Sequence, residues 1–177
     1  ADAVPAAFFA LVARRAQHEP VAYITGEQDF YGLTFRVSSD VLIPRGDSEV
    51  LVERALVAKP DAARVLDCGT GSGALILSVV ANLSQAIGIG IDRSPEALGV
   101  ASANAADLGL ADRVQMTLAD WTCDGWDEGL GQFDLILSNP PYVEDAADLA
   151  PSVHAFEPAG ALYAGPDGLD DYRLLIP

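Results

Sequence analysis

The chain has 177 residues, enough for one domain; half are apolar and a fifth are charged, a balance that excludes intrinsic disorder. Its formal charge of −16 repels phosphate backbones and argues against a nucleic-acid substrate. No apolar run reaches the roughly 18 to 20 residues of a membrane span, and Cys68 and Cys123 are too few for a disulfide framework or a zinc cluster. With no charged secretory leader at its start, the chain is expected to be a soluble, cytoplasmic α/β protein without a metal site.

Residues Pro5 to Gln17 predict a helix, with Phe8, Leu11 and Val12 at i, i+3 and i+4 forming one apolar stripe. Arg14 and Arg15 suit the C-terminal end of its dipole. So short a helix is marginal alone in water and is expected to pack on something, as the last helix of an earlier domain. Val21 to Pro44 is rich in aromatic and β-branched residues, punctuated by Gly26 and Gly32. It predicts two or three short strands in a hairpin that ends at Val41-Leu42-Ile43. Pro44 to Asp47 is a turn. Ser48 or Asp47 caps a helix from Glu49 to Ala58, with Val50, Leu51, Ala55 and Leu56 on its apolar side.

From Arg64 strands and helices alternate. Val65 to Cys68 is a strand, followed by a glycine-rich turn and a helix from Ala74 to Leu83. Ala86 to Ile91 is a second strand ending at Asp92, and Ser94-Pro95-Glu96 opens a helix that runs to about Leu108. Val114 to Leu118 and Phe133 to Leu137 are further strands; a loop spans Ser138 to Gly168, and a new helix starts near Leu169. This order predicts a parallel sheet covered on both faces, with right-handed crossovers. A four-stranded sheet with a raw edge is a poor end state, so more of the domain is expected to follow Pro177.

Asp67-Cys68-Gly69-Thr70-Gly71-Ser72-Gly73 lies between a strand and a helix. Its alternate glycines permit a tight turn and close approach of a ligand, but the spacing is not the G-x-G-x-x-G of dinucleotide folds. That loop offers its amides to a pyrophosphate, whereas Asp67 would repel one. A carboxylate suits a cationic, hydroxyl-bearing ligand such as S-adenosylmethionine. Asp92, ending the second strand, can accept both ribose hydroxyls. Asp120, after the third strand, is placed to meet an adenine amino group. Any one of these features alone reads as an ordinary connection; together at successive strand ends they predict a binding site.

Ser138-Asn139-Pro140-Pro141-Tyr142 follows the fourth strand. Two prolines stiffen the loop and remove two donors, leaving the Asn139 side-chain oxygen and the Pro140 carbonyl as acceptors for a substrate amino group. Tyr142 offers a flat face to a planar amide or aromatic amine.

These residues resemble the HemK-type protein-(glutamine-N5) methyltransferases, which modify peptide chain release factors. The glycine turn and the Asn-Pro-Pro-Tyr loop alone would also fit DNA adenine and RNA N-methyltransferases. The discriminating segments are Pro20 to Gly26, Phe30-Tyr31-Gly32-Leu33 and Leu42-Ile43-Pro44-Arg45, similar to the family's interdomain hairpin. Phe156-Glu157-Pro158 and Gly165 to Leu169 also resemble family segments. One departure is Gly46, where the family usually carries proline.

The resemblance implies a Rossmann-like class I methyltransferase fold in three parts: the end of a helical N-terminal domain (residues 1–20), a hairpin linker (21–46) and a catalytic domain (47–177). It implies methyl transfer from S-adenosylmethionine, leaving S-adenosylhomocysteine, to the glutamine amide of a Gly-Gly-Gln loop in a release factor, by a monomer. Asn139, Pro140, Pro141 and Tyr142 would hold the substrate amide. Asp67, Gly69, Thr70, Gly71, Gly73, Asp92, Asp120 and Asn139 would hold the cofactor. Trp121 either touches the adenine or packs, and Glu49 either faces the methionine ammonium or caps a helix. Arg45 is read as a tether for its loop. His18, His154, Cys68 and Cys123 are read as non-catalytic. The competing readings are a ribosomal-protein glutamine methyltransferase, a nucleic-acid amino-group methyltransferase and a non-catalytic binding module.

Overall fold

The structure is a computed structural model that describes residues 5–176. Helix α1 (Ala6–Ala16) leads to a short helix α2 (Val21–Thr25) and a hairpin of β1 (Glu27–Phe30) and β2 (Leu33–Arg36). A 3₁₀ turn at Gly46–Ser48 runs into α3 (Glu49–Ala58). Then β3 (Arg64–Cys68), α4 (Ala74–Asn82), β4 (Ile87–Asp92), α5 (Pro95–Asp107), β5 (Val114–Leu118) and β6 (Leu135–Ser138) alternate as expected. Helix α6 (Pro151–His154), a 3₁₀ turn at Ala159–Ala161 and α7 (Asp170–Leu175) follow.

The main sheet is parallel, in the order β5-β4-β3-β6. Strands β4 and β5 extend it on one side of β3, and β6 joins the other side. The order therefore reverses at β3, which opens a crevice at its carboxyl end. Successive residues of β3 point to opposite faces. Val65 faces the main core, built with Phe30, Phe35, Val52, Ile76 and Val80, whereas Leu66 and Cys68 pack with Ile91, Trp121, Trp126, Phe133 and Leu175. The second face is covered by the irregular segment after β5 and by α7.

The hairpin is real but begins later than expected. Val21–Thr25 is helical, between Pro20 and the left-handed Gly26, although its side chains favour strand. Its Tyr23 hydroxyl donates to the Val41 carbonyl at 2.6 Å. Val41 to Ile43 is an irregular connection that opens with a bend, not a strand. The hairpin turn is the two residues Tyr31 and Gly32, both at positive φ (49° and 73°), the geometry that matches the twist of the flanking strands. In α3 the buried residues are Val52 and Ala55, while Val50 and Leu51 are exposed. No side chain caps its start, against the expectation for Ser48 or Asp47. Ser94 does cap α5, accepting from the Ala97 amide at 3.1 Å.

Asn104, on α5 and 1% exposed, joins three elements. Its oxygen accepts from the Arg36 amide at 2.7 Å; its nitrogen donates to the carbonyls of Arg36 (3.1 Å) and Ser72 (2.8 Å). The hairpin is thereby tied to the glycine turn. Asn104→Leu would strand the buried Ser72 carbonyl, at about 1–3 kcal/mol, and two half-buried Arg36 groups at less. The expected result is a lowered denaturant midpoint at unchanged slope.

Candidate functional site

The turn after β3 is folded back on β4. The amides of Gly69 and Thr70 both donate to the Ile91 carbonyl at 2.9 Å, and that of Gly73 donates to Thr70 at 2.8 Å. The Gly71 amide donates to Asp92 Oδ2 at 2.9 Å. Gly69, Gly71 and Gly73 all have positive φ. A Cβ at Gly69 would also stand 3.0 Å from the Trp121 ring. Four amides of the turn, those of Gly69, Thr70, Gly71 and Gly73, are therefore spent internally.

Asp92, at the end of β4, is fixed by the Gly71 amide on one oxygen and by the Ser94 amide, at 3.0 Å, on the other. Each oxygen keeps a lone-pair direction for a ligand hydroxyl. Gly69, Thr70, Gly71, Asp92, Trp121 and Asn139 line one cleft at the carboxyl end of the sheet, with Pro141 beside them. Asp40, Arg45 and Arg93 add charge of both signs to its walls. These donors and acceptors fit a ligand that carries vicinal hydroxyls and no phosphate.

Asp67 sits behind this cleft. It shares the core face with Val65, is 1% exposed, and its Oδ2 accepts from the Thr70 hydroxyl at 2.8 Å. Its Oδ1 is buried with no hydrogen-bond partner. Its role is to brace the turn from below, not to form a wall of the cleft. Burial raises its carboxyl from the usual 3.8 to about 7, opposed by the Thr70 hydrogen bond and by the nearby Ile76 amide, which is too poorly aligned to pair fully with Oδ1. The folded chain thus keeps a proton that the unfolded chain releases. Its contribution to stability is complete below pH 3.8 and lost as pH rises to about 7. Asp67→Asn, neutral throughout, is expected to abolish a decline on the order of 1 kcal/mol per pH unit. Unfolding midpoints between pH 4 and pH 8 would show the variant gaining on the parent toward the alkaline end.

The Asn-Pro-Pro-Tyr loop leaves the end of β6, next to β3. The Ser138 hydroxyl donates to the Cys68 carbonyl at 2.9 Å and anchors the loop's root. Pro140 and Pro141 are buried on opposite sides: Pro141 on the cleft, Pro140 on the second face among Cys68, Tyr172 and Leu175. The Tyr142 side chain is 59% exposed and lies outside the cleft wall. The region from Ser138 to Gly168 is more ordered than the plain loop expected. Val143 bridges to Tyr163, its amide donating to Leu162 at 2.8 Å while its carbonyl accepts from Ala164 at 2.9 Å. The Asp145 amide donates to Gly165 at 3.0 Å. The segment from Leu162 to Gly168 thus splints the loop from outside.

Two expected cofactor residues are engaged elsewhere. Glu49 Oε1 accepts the Tyr31 amide at 2.8 Å, which stabilises the left-handed hairpin turn and holds the carboxylate off the cleft. Asp120 Oδ1 accepts from the Thr122 amide and hydroxyl at 2.9 and 2.7 Å, which lowers its carboxyl below the usual range. Asp120 is therefore a turn cap and does not line the cleft. Trp121 lines the cleft and packs on the second face, while its Nε1 donates to Asp171 Oδ1 at 2.7 Å. Cys68 is buried, and burial pushes its thiol up to about 12, which suits packing and not reactivity.

Sequence reasoning assigned no cleft role to Glu157 or to the contact between Arg93 and Gly160. Arg45 is a tether, as expected, and its partner is Glu157, which is 6% exposed. Arg93 donates to the Gly160 carbonyl at 2.9 Å. The signal was present in Phe156-Glu157-Pro158 as a resembled segment, but no local pattern shows which residues lie opposite it.

A methyltransferase domain family matches residues 59–163, and the PrmC N-terminal domain matches residues 1–26. A release factor glutamine methyltransferase of Geobacter sulfurreducens is 47% identical over 171 residues, covering 94% of this chain and 58% of the relative. One of Moorella thermoacetica is 44% identical over 181 residues, covering 100% and 62%. The chain thus spans about three fifths of the length of these relatives. Among solved structures, EvdMO1 superposes with a TM-score of 0.50 at 23% identity, over 75% of this chain and 28% of that one, a likeness of fold alone.

Proposed function

We propose that this chain, which belongs to the HemK/PrmC-type methyltransferase family, transfers a methyl group from S-adenosylmethionine to the side-chain amide nitrogen of a glutamine in the Gly-Gly-Gln loop of peptide chain release factors. The observation that carries the cofactor is the glycine turn, which spends four of its amides internally, one of them on Asp92, and sets that carboxylate in the cleft. Such a turn favours ribose hydroxyls over a pyrophosphate. When bound, S-adenosylmethionine supplies an electrophilic methyl carbon on a sulfonium, so no covalent enzyme intermediate is required.

The chain's own work is placement. Gly69 and Gly71 let the cofactor approach the backbone, Asp92 takes its hydroxyls, and Trp121 gives a flat wall. An amide nitrogen is a poor nucleophile because its lone pair is delocalised. Asn139 Oδ1 and the Pro140 carbonyl would accept its two hydrogens, turning the lone pair toward the methyl group; once nitrogen carries the methyl, one of those hydrogens would leave as a proton to solvent. Holding two reactants in line supplies much of the rate. Tyr142, exposed beside Asn139, offers its face to the planar amide from the solvent side. The division into an N-terminal end (1–20), a hairpin linker (21–46) and a catalytic domain (47–177), acting as a cytoplasmic monomer, is part of the same reading.

The test is methyl transfer by the full-length protein from isotope-labelled S-adenosylmethionine, offered a release factor and duplex DNA in separate reactions. The expected result is label on the release factor and none on DNA. Label on DNA would replace this reading with that of a nucleic-acid amino-group methyltransferase.

A further inference from the structure

The cleft has two walls that no sheet hydrogen bond joins. One is the segment from Val41 to Arg45, leaving the hairpin; the other is Pro158 to Ala161, far along the chain and directly after Glu157. Glu157 fastens them. One of its carboxylate oxygens pairs with Arg45 and the other accepts the Ile43 amide at 3.4 Å. The Glu157 side chain is 2% exposed and that of Arg45 is 40%, so the pair is rooted inside and open toward the cleft. The far end of the second wall is fastened as well, by Arg93 on the Gly160 carbonyl at 2.9 Å. A Cβ at Gly160 would fall 2.5 Å from Arg93 Nη2, so a side chain there would push the guanidinium off the carbonyl. The residues from Glu157 to Gly160 thus form a strap from the hairpin exit to the end of β4, with Pro158 and Gly160 facing the cleft.

We propose that the Arg45–Glu157 pair is the latch of this strap and sets how long the cofactor stays bound. The inference rests on the adenosylmethionine reading of the cleft. Arg45 and Glu157 are positioning residues here: they hold the walls together, and neither takes part in methyl transfer. A buried carboxylate that loses its partner is strongly unfavourable, so loss of either member releases the same contact. Glu157 does not line the cleft, whereas Arg45 does; that difference separates a latch from a direct ligand contact.

The experiment measures release of S-adenosylmethionine from the full-length protein by stopped-flow tryptophan fluorescence, with Trp121 in the cleft as reporter. Arg45→Gln, Glu157→Gln, the double variant and Arg45→Lys are compared with the parent, each checked for an intact melting transition. The expected result is an off-rate raised about tenfold in either glutamine variant, no further increase in the double variant, and substantial recovery in Arg45→Lys. In turnover assays, KM for the cofactor should rise by more than kcat falls. Should Glu157→Gln fail to fold, Glu157→Asp, which keeps the charge but shortens the reach to Arg45, takes its place beside Arg45→Gln. An unchanged off-rate in Arg45→Gln, or additive effects in the double variant, would overturn the latch while leaving the cofactor reading intact. A parent protein that does not bind S-adenosylmethionine would overturn both.

Discussion

Asn139→Ala is expected to lower methyl transfer by roughly 10²–10³-fold, the scale on which removal of one preorganised polar group at a reacting centre acts. Binding of S-adenosylmethionine should stay within a few-fold of the parent. The separation follows from the loop's construction. Its root is held by Ser138 on the Cys68 carbonyl, its backbone by two buried prolines and its outer side by the Val143 bridge. None of these uses the Asn139 side chain, so its truncation leaves the loop in place and removes the acceptor. Single-turnover rates and equilibrium binding, measured on the same preparation, would separate the two effects. Equal loss of both would mean that Asn139 chiefly holds the cofactor.

Gly168→Ala is expected to be nearly as damaging, from outside the cleft. A Cβ there would stand 2.4 Å from the Tyr142 carbonyl oxygen and 3.0 Å from its carbon, at a φ of +70°. Both contacts are backbone atoms of the loop that carries Asn139, so no rotamer relieves them. Overpacking of this kind costs about 1–3 kcal/mol, with roughly 1–2 kcal/mol more for a side chain in the left-handed region. A displacement near 1 Å at the reacting atoms alone costs about 10²-fold in rate. A lowered melting temperature with turnover reduced at least that far is the predicted result. Gly46→Ala is the control, because a Cβ there meets nothing within 4 Å and its φ is ordinary. Should Gly168→Ala melt and turn over like Gly46→Ala, the splint around Tyr142 would not be what positions the loop.

The alternation of strands and helices from Arg64 onward was legible because each strand is a short apolar run and each helix has a local stop or start. Ser94-Pro95 announced α5 by its own chemistry, and the structure shows that cap. Segments decided by distant partners were not legible. Val21–Thr25 has the side chains of a strand but is helical between Pro20 and Gly26 and is tied by Tyr23 to Val41. The apolar side of α3 was misplaced because Val50, Leu51 and Val52 are adjacent, and only packing selects Val52.

The candidate site divides in the same way. Asp92, the glycines and Asn139 stand at strand ends, where chain order alone brings them to one crevice. Which way a carboxylate points depends on its neighbours. Asp67 turns into the core face of β3, Asp120 folds onto Thr122, and Glu49 reaches back to Tyr31 across the hairpin. Arg45 and Glu157 meet across most of the chain, and nothing near either residue in the sequence names the other.

The most direct test of the central claim is tandem mass spectrometry of a release factor after reaction with the full-length protein and S-adenosylmethionine. The account predicts one methyl group on the side-chain nitrogen of the Gly-Gly-Gln glutamine, absent when Asn139→Ala replaces the parent. A methyl group on any other residue, or on that glutamine at an undiminished rate with Asn139→Ala, would contradict it.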